Sequence, residues 1–322
     1  MSDPELYQQF KGHKDAITSL HFSPAKKQLV SSSLDNTIML WNFTTDSKAY
    51  RYTGHTDAVM DVQFSRTGHL VASASRDRTV RLWVPDMKGE STEIKAHQGA
   101  VRSVQFSPDN QQLVTGSDDK SVKVWTVQRT RFMQSLSEHT NWVRSVRWSS
   151  DGRLLVSSSD DKTVKIWDKN TGASIHSFNL PKGFGHQVEF HPSGTCVGVA
   201  TSCGKVHIYD IRAMKLQQLY SAHEGPVTSL SFHPSGNYLI SGSHDSKIKI
   251  YNLLEARPIY TLSGHQNQVT GVAFSPKGDF FSTGGQDAQI LVWKTNFDTE
   301  NVGVKEREVL QVKKDNVFLV SC

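Results

Sequence analysis

The sequence predicts an all-β fold, a β-propeller of seven four-stranded blades, from three observations that share one period. A histidine, an aspartate and an aromatic residue recur every 42 residues over most of the chain. A second aromatic recurs at the same interval, and each copy is followed by a turn such as SPDN, SSDG or HPSG. Between these markers, short segments alternate apolar and polar residues as half-buried strands do, and helical periodicity is absent. Repeats of this length with four strands each are typical of propeller blades.

The three markers of each repeat stay in register across the chain. The histidines are His13, His55, His97, His139, His223 and His265, and the aspartates are Asp35, Asp77, Asp119, Asp161, Asp245 and Asp287. The aromatics are Trp41, Trp83, Trp125, Trp167, Tyr209, Tyr251 and Trp293. The histidine and aspartate series each skip one repeat, between blades 4 and 6. The skipped repeat is a degenerate fifth unit, in which Pro181 and Cys203 replace the histidine and the aspartate. This pattern resembles the WD40 repeat from Leu6 to about Lys294, and a β-sandwich would not repeat at a fixed spacing.

The first residues are predicted to close the ring. One strand precedes each histidine and three follow it, so the last unit lacks its fourth strand while residues 7–11 have no blade of their own. We expect residues 7–11 to complete blade 7 and to cover an edge that would otherwise pair with other chains. The predicted organisation is a propeller over residues 1–298 and a short, flexible tail over residues 299–322.

Composition excludes several classes of protein. The chain has 322 residues, with 37% hydrophobic and 21% charged residues, and no apolar run reaches the length of a membrane span. The start MSDPELYQQF does not resemble a secretory signal, and three cysteines without a CxxC pair fit a cytosolic protein. The net charge of +5 permits an acidic protein partner. Without runs of Lys and Arg, it gives no sign of a nucleic-acid-binding arm.

The repeated polar residues are predicted to be structural. Serine, histidine and aspartate together suggest a hydrolase, but catalysis needs one set beside one oxyanion hole, and six intact sets are present. We expect the Asp, His, a strand Ser or Thr, and the Trp Nε1 of each blade to form a buried hydrogen-bonded chain. In blade 1, Ser31 and Ser33 lie on the same strand face, and the sequence does not choose between them. In blade 5, Pro181, Cys203 and Tyr209 cannot rebuild the chain, so that blade should be less rigid or rely on apolar packing.

No catalytic, cofactor or metal site is expected. The histidines are mostly one to a blade, and Cys196 and Cys203 have no partner at ligand spacing. Neither a GxxxxGK[ST] loop nor a GxGxxG motif after a strand is present. The sequence therefore favours a noncatalytic binding scaffold, with no small-molecule substrate, nucleic acid or membrane among its partners.

A candidate partner site emerges when equivalent positions are compared around the ring. Five residues after each histidine position, cations are contiguous on blades 3 to 5, as Arg102, Arg144 and His186. Two positions earlier, the large aromatics Trp142 and Phe184 stand on blades 4 and 5. Arg and Trp are enriched at interaction hot spots, so we expect these five residues to form a partner site on one face.

The residue before each blade aspartate is expected to rim this site, notably Arg76, Asp118 and Asp160. The alternative interpretation is that the aromatics pack between blades and the arginines pair with Asp118 or Asp160.

One further motif points to a different function. Tyr209-Asp210-Ile211-Arg212 resembles the WDxR box through which some WD40 proteins bind cullin ligase adaptors, with Tyr in place of Trp. A ubiquitin-ligase substrate receptor is therefore one alternative function. A chromatin reader that grips a peptide at the channel is another, although a cationic mouth disfavours basic histone tails.

Beyond the repeats, the sequence resembles the Proteome of centriole protein 1 family. The diagnostic segments are WVPDMKGES (residues 83–91) and VWKTNFD (residues 292–298), with NWVRSVRWSSDGRLLVSSSDDKTVKIWDK and SFHPSGNYLISGS in support. The resemblance implies a noncatalytic protein of the cytoskeleton at centrioles, centrosomes and basal bodies. It would support centriole assembly, length and stability and cilium formation, through tubulin, microtubules and other centriolar proteins.

The resemblance departs from the family pattern at the C-terminus. Members typically continue through a linker to a coiled coil, whereas the 24 residues after Asp298 are too few for several heptads. We therefore expect an isoform or a truncated form of such a protein.

Overall fold

The computed structural model describes residues 3–43 and 49–297 and the backbone of one strand at Val317–Leu319. The strands form seven antiparallel sheets arranged as the blades of a propeller. In each blade the strands follow the chain from the central channel outward, except that the outermost strands of blades 5 and 7 come from elsewhere in the chain. This confirms the predicted seven-bladed WD40 fold. Among residues 3–43 and 49–297, no helix has the length and hydrophobicity needed to cross a membrane.

The strands are numbered along the chain and grouped here by blade. Blade 1 contains β2 (Ile17–Phe22), β3 (Gln28–Ser33), β4 (Ile38–Asn42) and β5 (Tyr50–Tyr52). Blade 2 contains β6 (Val59–Phe64), β7 (Val71–Ser75), β8 (Thr79–Trp83) and β9 (Ser91–Lys95). Blade 3 contains β10 (Val101–Phe106), β11 (Gln112–Ser117), β12 (Val122–Thr126) and β13 (Phe132–Leu136). Blade 4 contains β14 (Val143–Trp148), β15 (Leu154–Ser159), β16 (Thr163–Asp168) and β17 (Ser174–Asn179).

The remaining blades follow the same order. Blade 5 contains β18 (Gly185–Phe190), β19 (Cys196–Thr201), β20 (Lys205–Asp210) and β21 (Lys215–Ser221). Blade 6 contains β22 (Val227–Phe232), β23 (Tyr238–Ser243), β24 (Lys247–Asn252) and β25 (Arg257–Ser263). Blade 7 contains β26 (Val269–Phe274), β27 (Phe280–Gly285) and β28 (Gln289–Lys294), and β1 (Glu5–Lys11) is its outer strand.

The N-terminal strand closes the ring, as predicted. β1 pairs antiparallel with β28 from Glu5 opposite Lys294 to Lys11 opposite Gln289, so it begins two residues before the segment that the sequence predicted. Phe10 is buried, and its ring centroid lies 5.1 Å from that of Trp41 in blade 1. The strand therefore completes the last blade and packs against the first.

Apolar clusters between neighbouring blades form the core. In one of them, Val122 and Leu136 of blade 3 pack with Val143, Trp148 and Trp167 of blade 4. Side chains that alternate along each strand supply both blade faces, which is why the sequence shows short apolar alternation instead of long apolar runs.

The C-terminal tail lies almost entirely outside the described residues. Its one described element is β29 (Val317–Leu319), whose backbone pairs antiparallel with β21 as a fifth strand of blade 5. The predicted flexibility of residues 299–322 stays a prediction.

Candidate functional site

A buried hydrogen-bonded chain runs through blade 4. The Trp167 indole Nε1 donates to Ser157 Oγ at 2.8 Å, Ser157 Oγ lies 2.7 Å from His139 Nε2, and His139 Nδ1 lies 2.7 Å from Asp161 Oδ2. An indole N–H can only donate, so the serine hydroxyl is left to donate to Nε2. In that arrangement His139 carries a proton on Nδ1, which donates to the carboxylate.

The full chain recurs in blades 1, 2, 3 and 7, and blade 6 keeps its Ser241–His223–Asp245 part. The hydroxyl that bonds to the histidine Nε2 comes from Ser31, Ser73, Thr115, Ser157, Ser241 and Thr283. In blade 1 this resolves the alternative that the sequence left open. Ser31 joins His13, whereas Ser33 Oγ accepts the Asp35 N–H at 3.1 Å and donates to the Asp15 carbonyl at 3.0 Å.

Hydrogen bonds favour the ionised form of the aspartates in blades 1 to 4. Burial alone would raise the pKa of Asp161, but hydrogen bonds from His139 and Thr163 outweigh it and hold that pKa well below its usual range. The same balance, with His and Thr or Ser donors, lowers the pKa of Asp35, Asp77 and Asp119. In these blades each hydroxyl, imidazole and carboxylate is occupied by its neighbours in the chain, as expected of internal bracing.

Blade 5 replaces the hydrogen-bonded chain with apolar packing. Tyr209 stacks on Phe178 with ring centroids 4.3 Å apart, and Leu180 is buried beside Val199, which stands at the position of Ser31. His207 is only 3% exposed, its Nδ1 has no hydrogen-bond partner among the described residues, and burial lowers its pKa to about 4. The apolar alternative predicted for this blade therefore matches its packing.

One face of the ring carries the loops that contain the markers, and we call it the top face. Each histidine precedes the inner strand of its blade and bonds to an aspartate between the second and third strands, so both loops lie at one edge. The residue before each blade aspartate donates its backbone N–H to the loop tip before the inner strand. The donors are Leu34, Arg76, Asp118, Asp160, Ser202, His244 and Gln286, at 2.9 to 3.0 Å.

Five of the predicted partner-site residues come together on the top face of blades 3 to 5. The guanidinium carbons of Arg102 and Arg144 lie 5.4 Å and 5.5 Å from the Trp142 ring centroid. Arg144 also lies 5.2 Å from the Phe184 ring, which contacts His186 at 4.9 Å. We call this row of Arg102, Trp142, Arg144, Phe184 and His186 the stacked row.

The arginines of the stacked row are also paired with carboxylates. Arg102 binds Asp118 through Nε and Nη2 at 2.7 Å and 2.8 Å, and Arg144 binds Asp160 in the same way at 2.7 Å for both bonds. Both sequence interpretations thus describe part of the geometry, since the arginines are paired while Trp142 remains 42% exposed.

The remaining predicted residue, Arg76, lies on the neighbouring blade. It is exposed, and its backbone N–H donates to the Ala58 carbonyl at the loop tip of blade 2.

Burial lowers the pKa of His186 to about 4, and the nearby Arg144 and then His244 lower it further. His186 is therefore neutral near pH 7, and the charge of the row resides in its arginines and their carboxylates.

The central channel carries a polar belt that sequence reasoning missed. The channel cavity, of about 420 Å³, is lined by the inner strands. Side chains of one blade bond to the backbone N–H groups of the next, as Gln63 does for Phe106 at 3.1 Å and Ser231 for Phe274 at 3.3 Å. The belt positions recur every 42 residues in the sequence, as Gln63, Gln105, Arg147, Glu189 and Ser231. This spacing could have identified the belt from the sequence.

Blade 4 departs from this belt. Arg147 Nη1 donates to Ser103 Oγ at 2.7 Å and to Asp61 Oδ2 at 3.2 Å, which links blades 4, 3 and 2 through one side chain. Glu189 on blade 5 faces the same channel, and burial raises its pKa to about 8 despite the nearby Arg147.

The face opposite the top face has its own link between blades. His191 and His233, each from an HPSG turn, place Nε2 2.8 Å and 3.3 Å from the carbonyls of Gly236 and Gly278 in the next blade. Both glycines have φ near +80°. A Cβ at Gly278 would lie 2.0 Å from His233 Nε2, so only glycine fits there.

The segment that resembles a ligase-adaptor box forms an ordinary turn. Asp210 Oδ1 accepts the backbone N–H groups of Arg212 and Ala213 at 2.7 Å and 3.1 Å, and Tyr209 is buried in blade 5. The Arg212 side chain is 74% exposed.

Comparison with protein families supports the architecture. A β-propeller family model described as Nucleolar protein 10-like, N-terminal domain, matches residues 99–293, more than half of the chain. The chain belongs to this β-propeller family. The WD domain, G-beta repeat model matches residues 4–42 and 47–84, so WD40 repeats are found in the first two blades as well. A WD40 propeller implies a protein-binding role.

Curated relatives are centriolar proteins by name. A POC1 centriolar protein homolog B from Xenopus laevis is 56% identical over 52 residues, which is 16% of this chain and 11% of that protein. A POC1 centriolar protein homolog A from Danio rerio is 55% identical over 51 residues, or 16% of this chain and 12% of that protein. The chain thus matches about a tenth of the length of these relatives. They confirm the resemblance to the centriolar family that the sequence predicted.

Proposed function

We propose that this protein is a noncatalytic protein-interaction scaffold of centrioles and basal bodies. The observation that carries the proposal is the exposed Trp142, held between two arginines on one side of an otherwise regular ring. Exposed aromatic and arginine residues are what interaction hot spots are made of. The cellular location is supported by relatives with centriolar names, which are more than 50% identical over the residues they match.

The finer function is assembly of the centriole wall. A closed ring is rigid and offers a top face, an opposite face and an outer rim to different partners, which suits a structural joint. We propose that it supports centriole assembly, length and stability and cilium formation by joining tubulin or microtubules to other centriolar proteins. The stacked row is the proposed contact on the top face.

The absence of catalysis is part of the proposal. The histidines, serines and aspartates that could resemble a hydrolase are used in bonds to one another within each blade. Within residues 3–43 and 49–297, no group of three His, Cys, Asp or Glu side chains could hold a metal ion.

The decisive experiment locates the tagged chain in ciliated cells. We expect enrichment at centrioles and basal bodies, and reduced enrichment for Trp142→Ala. Leu254→Ala is the matched control, because Leu254 is 80% exposed and lies between β24 and β25 on the opposite face. Enrichment in nucleoli or chromatin instead of centrioles would refute the centriolar role.

The ubiquitin-ligase receptor remains the second candidate, because the Arg212 side chain is available to a partner. Capture of a cullin adaptor by the wild-type chain, lost in Arg212→Ala, would favour it. A chromatin reader is less well supported, since the arginines of the stacked row would oppose a basic histone tail.

A further inference from the structure

An arc of exposed cations surrounds the stacked row on the top face. Its members are Arg76 and Arg78 of blade 2, Lys120 of blade 3, Lys162 of blade 4 and Lys182 of blade 5, all of them exposed. Within the described part of the chain, no carboxylate lies within ion-pair distance of any of the five. We call these five residues the cationic arc.

The arc is confined to blades 2 to 5, which are the three blades of the stacked row and the neighbouring blade 2. The positions equivalent to Arg76 and Arg78 are Leu34 and Asn36 on blade 1, His244 and Ser246 on blade 6, and Gln286 and Ala288 on blade 7. On blade 1 the exposed Lys14 is followed at once by the exposed Asp15. Repetition of the fold therefore does not account for the positive charge on blades 2 to 5.

Three members of the arc stand where the backbone favours glycine. The residue after each blade aspartate has a positive φ, which is 71° at Arg78, 70° at Lys120 and 67° at Lys162, and blade 5 uses Gly204 at this position. A long side chain at positive φ is conformationally costly. Folding therefore does not require these cations, and glycine could replace them without harm to the turn.

The stacked row supplies the other half of a docking surface. Arg102 and Arg144 use Nε and Nη2 for Asp118 and Asp160, and neither Nη1 donates to any described residue. Trp142 lies between them with 42% of its surface exposed. Asp57 of blade 2 is an exposed carboxylate on this face whose Oδ1 accepts the N–H of Ala58 at 2.6 Å, and its charge offsets part of that of Arg76 and Arg78.

We propose that the top face of blades 2 to 5 binds an acidic peptide segment of a partner protein, whose carboxylates meet the cationic arc while an apolar side chain packs on Trp142. This inference rests on the proposed scaffold function, for which it names the chemistry of the partner. The free Nη1 groups beside Trp142 would bind carboxylates that flank the apolar residue, since guanidinium donors suit carboxylates.

The test measures binding of a short glutamate-rich peptide with one central leucine to the full chain. We expect the peptide to bind, with affinity that falls as salt rises, because exposed charges are screened. A glutamine version of the peptide should not bind detectably. An arc-reversal variant, Lys120→Glu with Lys162→Glu, should lose roughly tenfold or more in affinity. Trp142→Ala should weaken binding of the leucine peptide more than that of a leucine-free version.

The matched control is Lys26→Glu with Lys277→Glu. Both residues are exposed, they lie on the opposite face, and the double change alters the net charge equally. The double variant Lys120→Gly with Lys162→Gly separates loss of the charges from misfolding, because glycine suits the backbone of both turns. It should bind weakly while keeping the wild-type denaturation midpoint.

Three results would overturn the inference. The first is an equal loss of peptide affinity in the top-face and opposite-face charge-reversal variants. The second is equal affinity for the glutamate and glutamine peptides. The third is a single-stranded oligonucleotide of the same charge that binds as tightly as the peptide and competes with it. These outcomes are separate from the cellular test. Peptide binding without centriolar enrichment would refute the scaffold role alone, and centriolar enrichment without peptide binding would refute the acidic partner alone.

Discussion

A single hydroxyl group holds each intact blade together at its centre. Ser157 is fully buried and accepts from Trp167 while donating to His139, so it links the second and third strands to the loop before the first. Neither neighbour has another described bond that could replace it. Loss of this one hydroxyl would therefore leave two buried polar atoms without a partner.

Replacing Ser157 with alanine should lower the free energy of unfolding by about 1–3 kcal/mol, because the Trp167 N–H and the His139 Nε2 lose their partner in a buried place. Denaturant titration followed by tryptophan fluorescence would measure it. Ser135→Ala is the control, since Ser135 is exposed on β13. Equal midpoints for the two variants would contradict the bracing role.

The free energy of unfolding should decrease in two steps as the pH falls. Burial lowers the pKa of six histidines, which stay neutral in the fold while the unfolded chain takes up protons below about pH 6.5. They are His21, His97, His186, His207, His223 and His244. The second step begins near pH 4, where the unfolded chain protonates the aspartates whose pKa the fold lowers, which are Asp35, Asp77, Asp119, Asp161 and Asp245.

Glu189 contributes with the opposite sign, because its pKa is raised to about 8 and its contribution to stability is lost as the pH rises. Between pH 7 and pH 5, the stability lost through the six histidines exceeds the stability gained through Glu189. Denaturant titrations over that range would measure the slope. A flat or rising stability on acidification would contradict the assignment of neutral buried histidines.

At the residue scale, the sequence predicted the identity of the network but only part of its geometry. His139, Asp161 and Trp167 follow from their spacing alone. Ser31 and Ser33 share a strand face, and only the position of the histidine ring in space separates them. Gln63 and Glu189 look like ordinary polar strand residues, and their role depends on a channel that exists only once seven blades meet.

Among the elements, blade 5 is the exception. Val199 and Tyr209 stand where the intact blades have a serine or threonine and a tryptophan or tyrosine, and Tyr209 stacks on Phe178 of blade 4. The sequence predicted the loss of the network from Pro181 and Cys203. It did not reveal that His207 would be buried on β20, because the equivalent residues in other blades are mostly longer and partly exposed.

Replacing His207 with leucine should raise the free energy of unfolding by about 1 kcal/mol, because a buried nitrogen without a partner is removed. Blade 7 already carries the buried Leu291 at the equivalent position, so the space suits this side chain. The variant should also lose less stability between pH 7 and pH 5. A lower denaturation midpoint would indicate that His207 has a polar role.

The molecule as a whole is closed by one strand from the far end of the chain. β1 pairs along the whole of β28, and Phe10 packs on Trp41 and Phe43 of blade 1. The sequence predicted this closure by counting strands. The contact with blade 1 could not be predicted, because it depends on the curvature of the ring.

Deleting residues 1–11 should open the ring. The edge of β28 would be exposed, and exposed edges pair with other chains. We expect a lower denaturation midpoint and oligomers in size-exclusion chromatography with light scattering. Deletion of residues 1–4 leaves β1 intact but removes the buried Pro4 and the bond from Asn296 to the Asp3 carbonyl, so it should lower the midpoint less and leave the size of the wild-type particle unchanged. A monomeric, equally stable protein after the longer deletion would mean that β1 does not hold the ring closed.

The position of β1 also has a consequence for synthesis on the ribosome. Residues 5–11 leave the exit tunnel before any complete blade of the described chain, yet their partner strand, Gln289–Lys294, is among the last parts of the described chain to be made. The nascent chain must therefore carry Phe10, which is buried in the closed ring, without its pairing strand while the intervening blades emerge. Such exposed apolar segments are what chaperones bind, so newly made chains should depend on chaperones until blade 7 has been translated.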